Sequence, residues 1–120
     1  MKKILIVEDN ELNMKLFFDI LQFQKYEPIK TYSAEEAYEL LKKESFDLMI
    51  LDVKLPKMSG FDLLEKLQNE KISIPQTIIA SACAMDEDKK KALEYNIDTY
   101  ITKPIDINGF VKIVKEKLNV

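Results

Sequence analysis

The chain has 120 residues, enough for one domain that buries roughly two thirds of the surface exposed by its unfolded form. Its 18 basic residues, all lysines, and 21 acidic residues give a net charge of −3 at pH 7, so we expect no binding of nucleic acid. The absence of histidine excludes His-based catalytic triads, zinc sites with His ligands and a phosphohistidine donor within this chain.

Short apolar runs alternate with amphipathic stretches from the first residues onward, and each type predicts one kind of element. A continuous run of β-favouring residues predicts a buried strand at residues 4–7. The spacing of Met14, Phe17, Phe18 and Leu21 then predicts a helix with one apolar face.

The next pair of predicted elements is a strand at residues 28–31 and a helix that follows it. Because Pro28 cannot donate to a strand ladder, we expect this strand at an edge of its sheet. Ser33 and Glu36 have the spacing of a capping box, which predicts where the second helix begins.

The rest of the chain continues the same alternation. The further elements, in chain order, are a strand at 48–51, a helix capped by Ser59, a strand at 77–80, a lysine-rich helix at 86–95, a strand at 99–102 and a last helix from Asp106. Five strands alternating with five helices predict an α/β fold with a doubly wound parallel sheet in the order 2-1-3-4-5.

The cysteine content and the length of the apolar runs indicate the cellular compartment of the protein. The single cysteine, Cys83, can form no internal disulfide, which fits a reducing environment. No apolar run approaches the roughly 20 residues needed to span a bilayer, and Glu8 ends the apolar run that follows the N-terminus. These features predict a cytoplasmic protein without a membrane segment.

Three carboxylates come directly after two neighbouring strands of the predicted sheet. In this topology ligands bind beyond the carboxyl ends of the strands, between the first and third strands, where Glu8, Asp9 and Asp52 lie. Converging like charges favour a bound cation, and oxygen ligands without His or Cys favour Mg²⁺, with Mn²⁺ as an alternative.

Ser81 and Lys103 follow the fourth and fifth predicted strands, at the same edge of the sheet. A hydroxyl, an ammonium and a divalent ion around a carboxylate form a site for one more dianionic group. Transfer of a phosphoryl group requires this kind of charge neutralisation and positioning.

Five separated segments together resemble the bacterial response-regulator receiver family, whose fold is CheY-like. They are residues 4–10 (ILIVEDN), 49–52 (MILD), 55–60 (LPKMSG), 80–82 (ASA) and 100–104 (YITKP). The resemblance implies a single receiver domain over residues 1–120, with no output domain.

The resemblance also implies a role for individual residues. Asp52 is the expected phosphoacceptor, and the metal ligands are Asp52, Asp9, Glu8 through water, and the main-chain carbonyl of Lys54. Lys103 is expected to pair with the phosphoryl group. The expected chemistry is self-catalysed acceptance and hydrolysis of that group, without turnover of another substrate.

Two further residues match the family's switch. Ser81 would bind a phosphoryl oxygen and Tyr100 would reorient, which changes the face around the fourth helix, fifth strand and fifth helix. The expected partners are a histidine kinase or histidine phosphotransfer protein and a downstream regulatory protein that docks on this face. The chain would be a monomer or a weak dimer formed on phosphorylation.

Within the family, residues 7–15 and 81–85 are similar to those of stand-alone regulators of cell division. A phosphorelay shuttle and a receiver excised from a hybrid histidine kinase remain alternatives. From another class, a Mg²⁺-dependent phosphohydrolase with an Asp nucleophile fits less well, because Val53 and Lys54 follow Asp52 where such enzymes carry a second Asp.

Two turns depart from the family pattern. Lys25 and Asn96 stand where receivers often have glycine before the second and fifth strands. Asn tolerates a positive φ, whereas Lys25 leaves the geometry of its turn open.

Overall fold

The computed structural model describes residues 1–82 and 86–118, so the expectations for Cys83 lie outside the described residues. Strands and helices alternate along the chain, as the sequence predicts. The elements are β1 (Lys3–Val7), α1 (Glu11–Phe23), β2 (Glu27–Thr31), α2 (Ala34–Lys43), β3 (Leu48–Leu51), α3 (Gly60–Asn69), β4 (Thr77–Ser81), α4 (Asp86–Leu93), β5 (Tyr100–Thr102) and α5 (Ile107–Leu118).

The five strands form one parallel sheet in the order β2-β1-β3-β4-β5, which confirms the predicted topology. The central strands end together, with Val7 of β1 opposite Leu51 of β3. β2 lies at an edge, as Pro28 predicts. The strand order therefore reverses between β1 and β3, where the loops that follow both strands open toward the same crevice.

The helices cover both faces of the sheet, and each face has its own apolar cluster. In β1, Leu5 and Val7 pack with side chains of α2 and α3, whereas Ile4 and Ile6 pack with side chains of α1 and α5. This alternation follows from the two-residue repeat of a strand. Within the described residues, no helix has the length and apolar character needed to cross a bilayer.

The capping residues behave as expected, with one difference. The Ser33 side chain accepts a hydrogen bond from the Glu36 amide at 3.1 Å. The Glu36 carboxylate accepts from the amide of Tyr32 at 2.9 Å, one residue before the predicted donor. Ser59 and Asp62 form a complete capping box at the start of α3.

The bounds of six elements differ from the prediction by one or two residues. β1 and β2 begin one residue early, at Lys3 and Glu27, and β4 ends one residue late, at Ser81. α4 ends at Leu93, two residues early, and β5 begins at Tyr100, one residue late. α5 begins at Ile107, because Asp106 serves as its cap and accepts from the Phe110 amide through its carbonyl.

Three turns that follow helices contain a residue with positive φ. These residues are Lys25 (68°), Lys71 (58°) and Asn96 (62°), after α1, α3 and α4. In each turn, the amides of that residue and of the next one donate to carbonyls of the helix end, in the pattern of a Schellman motif. The chain thus makes with Lys and Asn the turns for which glycine is the usual residue.

Candidate functional site

Asp52 follows β3, and two hydrogen bonds with main-chain groups help to fix its position. Its amide donates to the Val7 carbonyl at 3.1 Å, which extends the pairing of β1 and β3 by one residue. One carboxylate oxygen, Oδ1, accepts from the Lys54 amide at 2.9 Å. The residue is only 7% exposed, so its carboxylate is largely shielded from solvent.

Glu8 follows β1 and is almost completely buried, at 1% exposure. Its amide donates to the Thr31 carbonyl of β2, and its Oε2 accepts from the Asn10 amide at 3.1 Å. Burial raises the pKa of Glu8 above its usual range, against the opposing effect of hydrogen bonds from Lys103 and Asn10.

Lys103 follows β5 and joins the two buried carboxylates. Its Nζ lies 2.6 Å from Oε1 of Glu8 and 3.0 Å from Oδ2 of Asp52. Burial alone would lower the pKa of Lys103, but the hydrogen bonds and negative charges of Glu8 and Asp52 together outweigh it and leave the pKa raised. Lys103 therefore remains charged at neutral pH. Its peptide bond to Pro104 is cis.

Asp9 is exposed and completes the acidic cluster. Glu8, Asp9 and Asp52 each offer a carboxylate oxygen, and these atoms lie within 4.8 Å of one another. Three carboxylates against one ammonium leave an excess of negative charge. Hard oxygen donors in this arrangement suit Mg²⁺ and are consistent with the magnesium site of a receiver domain.

Ser81 and Tyr100 lie on the neighbouring strands, and the structure places them differently. Ser81 ends β4, is 2% exposed, and its carbonyl accepts from the Lys103 amide at 2.9 Å. The hydroxyl of Tyr100, in β5, donates to the carbonyl of Lys89 in α4 at 3.0 Å. The structure therefore places Ser81 beside Lys103 at the end of the sheet and connects Tyr100 to α4.

Lys54 has its side chain exposed and its amide bonded to Asp52. The role of its main-chain carbonyl as a ligand stays a prediction. The direct ion pair between Lys103 and Glu8 is a contact that sequence reasoning missed. These residues are 95 positions apart, and the only available signal was that both follow strands ending at one edge of the sheet.

Comparison with known proteins identifies the family. The model of the response regulator receiver domain matches residues 4–115, and this chain belongs to that family. It is 37% identical, over 118 residues, to the polar-differentiation response regulator DivK of Brucella ovis, with 98% of this chain and 96% of DivK covered.

Solved structures share the fold. A CheY-like receiver domain protein from Methanospirillum hungatei superposes with a TM-score of 0.89 at 33% identity, covering 99% of this chain and 94% of that protein. The receiver domain of the Pseudomonas aeruginosa sensor histidine kinase PA1611, solved with a magnesium ion in its active-site cleft, has a TM-score of 0.83. At 20% identity, with 99% of this chain and 98% of that one covered, this second likeness supports the fold alone.

Proposed function

We propose that this protein is a phosphoacceptor switch that takes a phosphoryl group on Asp52 from a phosphohistidine of a histidine kinase or phosphotransfer protein. One observation carries the proposal. The carboxylate of Asp52 is buried, bonded to Lys103 at 3.0 Å, and within reach of the carboxylates of Glu8 and Asp9.

The reaction follows from this arrangement. A carboxylate oxygen of Asp52 forms the new bond to phosphorus, the P–N bond of the donor breaks, and the donor's imidazole, already protonated on its other nitrogen, leaves as the neutral ring. The ammonium of Lys103, already held by Glu8 and Asp52, faces the charge of the incoming group. Hydrolysis of the acyl phosphate by water returns Asp52 to its free form, so no other substrate is turned over.

Glu8, Asp9, Asp52 and the main-chain carbonyl of Lys54 would hold the metal, with Glu8 acting through water. Mg²⁺, or Mn²⁺ in its place, supplies neutralisation of charge on the phosphoryl oxygens. Without the metal, the fold already holds the carboxylates of Glu8, Asp9 and Asp52 close together, and the ammonium of Lys103 offsets part of their mutual repulsion.

The signal would leave the site through Ser81 and Tyr100. In this proposal the Ser81 hydroxyl binds a phosphoryl oxygen. The hydrogen bond from Tyr100 to Lys89 of α4 is rearranged as a result. The downstream partner would then dock on the face formed by α4, β5 and α5. A weak dimer formed on phosphorylation would be a second outcome of the same change.

The likeness to DivK covers nearly the whole of both chains and supports a role in cell-cycle or division control. A phosphorelay shuttle or a receiver of a hybrid kinase uses the same site and remains an alternative. A phosphohydrolase would hydrolyse an unactivated phosphate monoester with continued turnover, whereas the proposed switch would not.

The test is intact mass after incubation with acetyl phosphate, with and without Mg²⁺. We expect the gain of one phosphoryl group only with Mg²⁺, and none in Asp52→Asn, because the variant lacks the nucleophilic oxygen. Asp19→Asn is the matched control, since Asp19 is exposed and pairs with Lys15 on α1.

The control should be labelled at the rate of the unmodified protein. Labelling that persists in Asp52→Asn would move the acceptor to another residue. Steady release of phosphate from glycerol phosphate, an unactivated monoester that is not a phosphodonor for a receiver, would favour the phosphohydrolase instead.

A further inference from the structure

Gly60 begins α3 and lies against the segment that carries Asp52. The residue is buried, and its amide donates to the Val53 carbonyl at 3.1 Å. Neither glycine of the chain has a positive φ, so backbone conformation is not the reason for glycine here. The space around the residue gives a different reason.

A Cβ atom at this position would meet main-chain atoms at forbidden distances. It would lie 2.7 Å from the carbonyl oxygen of Asp52 and 2.8 Å from the Cα atom of Val53. The Cγ atom of Leu51 would be 3.2 Å away. Because the two closest atoms belong to the backbone, neither can rotate away as the end of a side chain could.

If a Cβ atom is added, either α3 or the backbone of Asp52 and Val53 must move. These two segments are not held equally firmly. α3 is fixed by the capping box of Ser59 and Asp62 and by four buried side chains. Those side chains are Phe61, Leu63, Leu64 and Leu67. The opposing segment lies beyond the end of β3, so we expect the backbone of Asp52 and Val53 to yield.

The geometry of the acceptor depends on that backbone. Oδ1 of Asp52 accepts from the Lys54 amide at 2.9 Å, and Oδ2 accepts from Lys103 at 3.0 Å. A shift of a few tenths of an ångström in the Asp52–Val53 peptide would change both contacts, and the direction of the Lys54 carbonyl with them.

The geometry points to Gly60 as a positioning residue for the phosphoacceptor, because its lack of a side chain lets α3 hold the backbone of residues 52–54 in the reactive arrangement. This inference rests on the proposed function of Asp52. Gly60 itself touches neither the phosphoryl group nor the donor, so it acts through the segment that it contacts.

The test compares Gly60→Ala with two control variants. Gly109→Ala changes the other glycine, where an added Cβ would meet the side-chain Oδ2 of Asp106 at 2.8 Å, an atom free to rotate. Ser33→Ala removes the cap of α2 and lowers stability away from the segment that carries Asp52.

Two readouts are measured at a temperature at which circular dichroism shows every variant folded. The first is the rate of labelling by acetyl phosphate with Mg²⁺ as the donor concentration is varied. We expect about a 10- to 100-fold lower maximal rate for Gly60→Ala, because misplacement by a fraction of an ångström weakens catalysis. Both controls should keep the rate of the unmodified protein.

The second readout is the amide spectrum of the metal-free protein, which is independent of phosphorylation. In Gly60→Ala we expect the largest shifts at the amides of Val53 and Lys54, with the remainder of β3 little changed. Neither control should move these two signals.

The outcomes separate this inference from the proposed function. If the unmodified protein takes no phosphoryl group, the proposed function is wrong and the role of Gly60 falls with it. If it is labelled and Gly60→Ala is labelled equally fast, only the inference is overturned. Equal slowing in Ser33→Ala, or a Gly60→Ala variant that does not fold, would assign Gly60 to stability and would also overturn it.

Discussion

Helices α3 and α4 pack on the same face of the sheet, yet they are held very differently. α3 begins with a complete capping box and buries Gly60, Phe61, Leu63, Leu64 and Leu67. α4 buries only Ala92 among its eight residues and carries acidic residues in its first turn and lysines in its last. Because a buried leucine contributes about 1.5–3 kcal/mol, α3 is attached far more firmly than α4.

The difference matches what each helix contacts. α3 lies against the backbone of Asp52, where small displacements would change the geometry of the proposed phosphoacceptor. α4 receives the hydrogen bond of Tyr100, which is a single polar contact at the surface. A firm helix at the site and a weakly held helix beside it would let the site keep its shape while the neighbouring surface changes, as the proposed function requires.

The largest expected effect is the loss of a core side chain from α3. Leu64→Ala should lower the free energy of unfolding by about 2–5 kcal/mol, because it leaves a cavity at a fully buried position. Leu93→Ala in α4 is the matched control, and with 59% exposure it should change stability by less than about 0.5 kcal/mol. Urea denaturation of both variants measures the difference. Similar losses in both would contradict the comparison.

A smaller effect is expected at the turns that end the two helices. Lys71→Gly should raise the free energy of unfolding by roughly 0.5–1 kcal/mol, because glycine adopts the positive φ of this turn without steric cost. Asn96→Gly, after α4, should raise it less, since Asn tolerates this conformation better. The midpoints of thermal unfolding give the order of the two variants. A larger gain at Asn96 would show that the turn geometry is not the limiting factor.

The two helices also differ in the tyrosine that binds each of them. Tyr38 of α2 donates to the carboxylate of Glu70 at the end of α3, and this bond is the main reason that its pKa is raised to about 12. The pKa of Tyr100 is raised chiefly by burial, with smaller contributions from Asp98 and Asp88.

The absorbance of the tyrosine phenolates, measured as pH rises, should therefore show one late ionisation step near pH 12 that Tyr38→Phe removes. Glu70→Gln should bring that step toward the usual pKa of 10. The unfolded chain loses this proton near pH 10 and the folded chain near pH 12, so the stabilisation is complete below pH 10 and is lost as pH rises to 12. If the late ionisation step is unchanged in Glu70→Gln, that ionisation belongs to another tyrosine.

Much of this fold could be predicted from local patterns. The continuous apolar runs at residues 4–7 and 48–51 correspond to central strands, and Ser33 and Ser59 mark the starts of helices, because each signal is confined to a few neighbouring residues. The positive φ of Lys57 and Lys71 had no such signal, since Lys has no preference for that conformation.

The candidate site was predictable in its members but less so in its contacts. The topology places Glu8, Asp52 and Lys103 at one edge of the sheet, and the sequence contains that information. The pairing of Lys103 with Glu8 depends on side-chain reach and burial, which no spacing encodes. The close approach at Gly60 is likewise set by how α3 packs against the end of β3.

The outer edge of β2 has a consequence for how copies of the protein can meet. The Glu27 amide donates inward to the Lys2 carbonyl, so the alternation along the strand directs the ring nitrogen of Pro28 outward, where it offers no hydrogen. The opposite edge, β5, has only three residues. Strand addition between molecules, which requires a continuous row of donors and acceptors, is therefore disfavoured at both ends of the sheet, and association through helices is left as the favourable route.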